Sequence, residues 1–154
     1  MVSGERSTVA PTDRMAGRPA EGAAQVHVLL AEDDAAVRAL FERLLAAQGW
    51  AVRAVTDGLE AVEAWTSRGG YDLAVLDVRM PRLNGYEAFL QMRAAAPGGR
   101  FLFVSGYAAD ELEPRLAREE GVAYMAKPFD SDALLERLSA LLADAAARVG
   151  KEEG

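Results

Sequence analysis

Cysteine is absent from the 154 residues and histidine occurs once, at His27. Disulfides, thiolate metal sites and a cysteine nucleophile are thereby excluded, and a serine triad could use only His27 as its base. No apolar run approaches the roughly 20 residues of a membrane span, and the polar segment after Met1 has no signal-type apolar core. Positive charge is also short: 17 Lys and Arg against 24 Asp and Glu give a net charge of −7. That balance argues against a nucleic-acid footprint, which needs clustered cations. What is present is 51% apolar residues, enough for one domain of ordinary size to bury a core. The expected location is the cytoplasm, with neither a membrane nor direct nucleic acid as partner.

Residues 1–24 mix Ser, Gly, Pro and charges without a period of 2 or 3.6 and read as a disordered arm. From Val26 the pattern changes to short apolar runs alternating with amphipathic stretches, the mark of repeated βα units and a mainly parallel sheet. Strands are expected at Val26 to Ala31, Ala51 to Val55, Leu73 to Leu76, Phe101 to Val104 and Val122 to Met125. In the first helix Val37, Leu40, Phe41, Leu44 and Leu45 share one stripe, with Asp34 suited to its start and Gly49 to its end. Asp57 and Gly58 open a second; Tyr86, Phe89, Leu90 and Met92 mark a third; Leu112 and Leu116 mark a shorter fourth. The last runs from about Ser131 to Ala147, which divides the chain into an arm (1–24), one domain (25–147) and a tail (148–154). Trp50, Trp65 and His27 read as structural residues.

Ligands of parallel α/β sheets bind beyond the carboxyl ends of the strands. Glu32, Asp33 and Asp34 follow the first run, Asp77 the third, Ser105 and Gly106 the fourth, Lys127 and Pro128 the fifth. The second strand end is read as contributing no polar group. If the first and third strands are neighbours, Glu32, Asp33 and Asp77 converge, and such carboxylates repel one another unless a cation sits among them. Mg²⁺ is the natural choice, since histidine and thiolate ligands for softer metals are missing. Lys127 and Ser105 can serve phosphoryl oxygens, and an aspartate such as Asp77 can attack phosphorus. Taken singly, each has a plainer reading: Asp77, Ser105 and Lys127 as turn residues, Asp34 as a helix cap. Their coincidence at one sheet end favours chemistry.

The runs VLLAEDDAAVR (28–38), DLAVLDVRMPRLNGYE (72–87), FLFVSGYA (101–108) and YMAKPF (124–129) resemble the receiver domain of two-component response regulators, the CheY-like family, over roughly residues 25–145. The resemblance implies a flavodoxin-like α/β fold, (βα)5, with strand order 2-1-3-4-5. It implies that Asp77 is the phosphoacceptor, that Glu32, Asp33, Asp77 and the backbone carbonyl of Arg79 hold Mg²⁺, and that Ser105 and Lys127 hold the phosphoryl group. It further implies a cis peptide between Lys127 and Pro128 and a switch pair, Ser105 and Tyr124, that reshapes the face of the fourth helix, fifth strand and fifth helix. Pro81 and Gly85 match the turn after the acceptor. Ser105-Gly106 stands where threonine and alanine are common.

The expected function is a single-domain response regulator that accepts a phosphoryl group from a histidine kinase or histidine phosphotransfer protein and promotes its hydrolysis. It would be a signalling switch rather than an enzyme on a separate substrate. Output would pass to a downstream protein or by phosphorelay, from a monomer or weak dimer; FLFVSGYA resembles receivers attached to hybrid kinases. The chief alternative is a receiver-like adaptor that works without phosphorylation. A phosphohydrolase would want a second acid where Arg79 stands, and a flavin phosphate would be repelled by Glu32 and Asp33.

Overall fold

A computed structural model describes residues 25–106 and 119–153. Its elements are β1 (His27–Ala31), α1 (Ala35–Ala46), β2 (Ala51–Val55), α2 (Gly58–Arg68), β3 (Leu73–Asp77), α3 (Gly85–Ala95), β4 (Arg100–Ser105), β5 (Val122–Ala126) and α4 (Ser131–Glu153). The arm at 1–24 and the helix expected around Leu112 and Leu116 lie outside the described residues. All strand pairs are parallel, and the order is β2-β1-β3-β4-β5.

Strand side chains alternate between faces, and both faces here are apolar, so the strands read as continuous hydrophobic runs. Leu29, Ala31, Ala74, Leu76, Phe101 and Phe103 pack with Trp65 of α2 and Phe89 and Met92 of α3. Their neighbours Val28, Leu30, Leu73, Val75, Leu102 and Val104 face Phe41 and Leu45 of α1 and Leu134, Leu138 and Leu141 of α4. Phe89 meets Phe101 edge-on at 4.9 Å and Phe103 at 5.4 Å, a geometry that ring quadrupoles favour. The Trp65 indole also donates to the Met92 carbonyl at 3.1 Å, tying α2 to α3.

Helix starts follow local chemistry. Asp34 accepts from the amides of Ala36 and Val37, Asp57 from Glu60, and Asn84 forms a reciprocal capping box with Glu87, each satisfying amides that lack a partner within the helix. α1 ends at Ala46, and Gly49, with φ 85°, turns the chain toward β2. α4 runs past the expected end at Ala147 to Glu153. Only the lone Gly150 opposes propagation there, while Arg, Lys and Glu favour it.

From its carboxyl end β1 connects through α1 to β2 on one side, and β3 connects through α3 to β4 on the other, so the chain diverges between β1 and β3 and opens a crevice there. Glu32 and Asp77 stand beside it.

Candidate functional site

Pairing of β1 with β3 sets Ala31 opposite Leu76, which brings the residues that follow, Glu32 and Asp77, side by side. Oxygens of Glu32, Asp33 and Asp77 all lie within 4.8 Å of one another. Glu32 is 1% exposed and Asp77 6%, whereas Asp33 faces solvent. These are hard oxygen donors without imidazole or thiolate, a set that suits a hard divalent cation.

Lys127 enters from the end of β5. Its backbone amide donates to the Ser105 carbonyl at 2.8 Å, and its Nζ lies 3.1 Å from Glu32 Oε1 and 3.7 Å from Asp77 Oδ2. The Lys127–Pro128 peptide is cis. Ser105 is buried at the end of β4, in register with Ala126. Tyr124 lies earlier on β5 opposite Phe103, half-buried against the core on the α2 and α3 side. The Arg79 amide points to Asp77 Oδ1 at 3.4 Å.

Burial pushes the Asp77 carboxyl up from 3.8 to about 7; the Glu32 charge adds to the rise, and Lys127 opposes it. A carboxylate crowded by a like charge is raised in this way, and a cation among the oxygens reverses the effect.

Several residues that hold the site are not singled out by the sequence pattern. Arg38 donates to the Glu32 carbonyl at 2.9 Å and the Asp33 carbonyl at 3.5 Å, pinning the acidic loop to α1. Its signal was a cation near a helix start, where the dipole disfavours one. The second strand end is not empty of polar groups: Asp57 is buried there and takes Arg82 Nε at 2.9 Å and Nη2 at 2.8 Å on one oxygen. Burial alone would raise its carboxyl, yet the Glu60 amide and the Arg82 guanidinium hold it below its usual value.

The family model for the response regulator receiver domain matches residues 28–139. This chain belongs to the response regulator receiver domain family. Among curated proteins, it is 32% identical over 116 residues to the sensor kinase CckA of Brucella abortus, covering 75% of this chain and 12% of that protein. It is 31% identical over 117 residues to the cell cycle response regulator CtrA of Brucella ovis, covering 76% of this chain and 50% of the relative. The receiver domain thus spans half or less of these relatives. Among solved structures, a CheY-like receiver domain protein from Methanospirillum hungatei superposes with TM-score 0.73 at 25% identity, over 85% of this chain and all of that one. The receiver domain of the hybrid histidine kinase CckA gives 0.65 at 33% identity, over 75% and 98%. Receiver domains are phosphoacceptor signalling domains that work with histidine kinases or phosphotransfer proteins. No helix among the described residues is long and apolar enough to cross a membrane.

Proposed function

We propose that this receiver domain accepts a phosphoryl group on Asp77 from a phosphohistidine of a kinase or phosphotransfer protein, with Mg²⁺ held by Glu32, Asp33, Asp77 and the Arg79 carbonyl. The observation that carries this is one buried carboxylate, Asp77, with two acidic neighbours within 4.8 Å and a lysine at 3.7 Å. Bound Mg²⁺ would supply charge neutralisation for the carboxylates and the phosphoryl oxygens.

The rest is the work of the chain. An Asp77 oxygen attacks phosphorus; the O–P bond forms as the P–N bond to the donor imidazole breaks, the nitrogen keeping the electron pair. Little other covalent chemistry is needed, so positioning dominates. Lys127 turns its ammonium from Glu32 and Asp77 toward the added phosphoryl oxygens, and the Ser105 hydroxyl donates to one of them. Hydrolysis returns the carboxylate: water attacks phosphorus and the O–P bond to Asp77 breaks.

Output runs from Ser105 and Tyr124 to the face of β5 and α4, which a downstream protein reads, or the phosphoryl group passes onward in a relay. The modification is a local charge change biasing a bistable surface. Such a switch acts in the cytoplasm, where phosphohistidine donors reside.

The test uses phosphoramidate, a small donor with the same P–N bond, with Mg²⁺, followed by borohydride reduction and peptide mapping. Reduction of the acyl phosphate at position 77 alone is expected. A modified chain with Asp77 untouched would overturn the assignment, and no modification would favour a phosphorylation-independent adaptor.

A further inference from the structure

The loop that follows Asp77 is closed on itself. The Gly85 amide donates to the Val78 carbonyl at 2.9 Å, and a Cβ on Gly85 would stand 2.3 Å from the Asp77 carbonyl oxygen. Only glycine lets the returning chain pass so close. Between these ends the Leu83 amide donates to the Pro81 carbonyl at 2.7 Å, and Arg82 between them has φ 68°, the one positive-φ non-glycine residue among those described. A three-residue turn with positive φ at its centre is rare and strained, and strain of this kind persists only where surrounding structure over-determines it.

Two contacts over-determine it, and both come from the β2–α2 turn. The Leu83 carbonyl lies where a Cβ on Gly58 would be, 2.0 Å from that position, so the loop seats on bare glycine backbone. Beside it, Arg82 grips one oxygen of Asp57 through Nε and Nη2 at 2.9 and 2.8 Å. Asp57 is itself fixed, because its other oxygen caps α2 through the Glu60 amide at 2.9 Å. A guanidinium edge on a buried, already anchored carboxylate holds direction as well as charge.

We propose that Asp57 and Arg82 form a latch that positions the Asp77 loop, and that they are positioning residues for phosphoryl acceptance. The inference rests on the phosphoacceptor reading above. Arg79 lies on the latched loop, with its amide on Asp77 and its carbonyl assigned to the metal. Releasing Arg82 lets that backbone drift, so the cost falls on cation affinity and reaction rate more than on the fold. Arg82 is largely exposed, and Asp57 keeps the Glu60 amide when the guanidinium is lost, which limits the cost to the fold. Groups that only orient ligands can still change metal affinity by about 10- to 100-fold.

The experiment uses the full chain with Arg82→Gly, Asp57→Asn and the double variant. Glycine accepts φ 68° without strain, and asparagine keeps a capping oxygen, so all three are expected to fold. Two readouts are compared: amide exchange in residues 79–84 without metal, and the Mg²⁺ concentration for half-maximal beryllofluoride binding by calorimetry. Each single variant is expected to speed loop exchange and to raise half-saturating Mg²⁺ about tenfold. The double variant is expected to lose no more than Arg82→Gly alone, because Asp57→Asn then has no guanidinium left to release. Unchanged loop exchange, unchanged Mg²⁺ dependence, or losses that add in the double variant would each overturn the latch. If the unmodified chain binds no beryllofluoride, the phosphoacceptor reading fails and takes the latch's role in acceptance with it; loop exchange then decides the structural contact separately.

Discussion

Lys127 Nζ bonds Glu32 Oε1 at 3.1 Å across 95 positions of sequence, so the last strand supplies the counter-charge for an acid left buried at the end of the first. Glu32 is almost fully enclosed while the lysine side chain is 23% exposed. The carboxylate therefore depends on this partner more than the lysine does.

Lys127→Met keeps the apolar stem and removes the charge. Glu32 is then left buried with its ion pair broken, and a loss of about 1–3 kcal/mol is expected, below the figure for a fully enclosed pair because Lys127 reaches water. Adding Glu32→Gln is expected to restore part of that loss, and urea unfolding of the two variants measures it. A double variant weaker than Lys127→Met would refute the pairing. Phosphoryl acceptance should fall sharply in both.

Stability without divalent cation should depend on pH through Asp77. Its carboxyl is raised by burial from 3.8 to about 7 in the folded chain. Between those values the folded state holds a proton that the unfolded state releases, so stability falls as pH rises through that window and levels above it. Asp77→Asn removes the dependence. In the presence of a chelator the variant should equal the unmodified chain near pH 4 and exceed it at pH 8 by on the order of a few kcal/mol. Parallel thermal-unfolding profiles for the two would contradict this.

Two glycines should respond oppositely to alanine. A Cβ at Gly85 meets the Asp77 carbonyl oxygen at 2.3 Å and Val78 Cα at 3.0 Å, both backbone, whereas at Gly98 nothing lies within 4 Å. Gly85→Ala is expected to cost about 1–3 kcal/mol and to slow acceptance by displacing the acceptor strand. Gly98→Ala should be neutral or stabilise by up to about 1 kcal/mol through the unfolded chain. Urea unfolding of both, with equal losses, would refute the distinction.

The strands and four described helices were legible because buried parallel strands are continuous apolar runs and the helices carry caps at their starts, as at Asp34 and Asp57. Glu32, Asp33, Asp77 and Lys127 were legible as a set because they follow apolar runs, where sheet topology must gather them. Arg38, Asp57 and Arg82 were not. Asp57 had a sufficient local explanation as a helix cap, and its second oxygen is used by a residue whose position depends on a turn around Arg82 that favours glycine. The extension of α4 to Glu153 was missed because Gly150 reads as a stop, whereas a single glycine inside a helix costs only about 1 kcal/mol and is carried through when its neighbours favour helix.

The central claim is that Asp77 is a Mg²⁺-dependent phosphoacceptor. Intact-protein mass after incubation with acetyl phosphate, with and without Mg²⁺, tests it most directly, beside Asp77→Ala. The account predicts a gain of one phosphoryl group that requires Mg²⁺ and is absent from Asp77→Ala. A gain that persists in Asp77→Ala, or no gain together with no beryllofluoride binding, would contradict it.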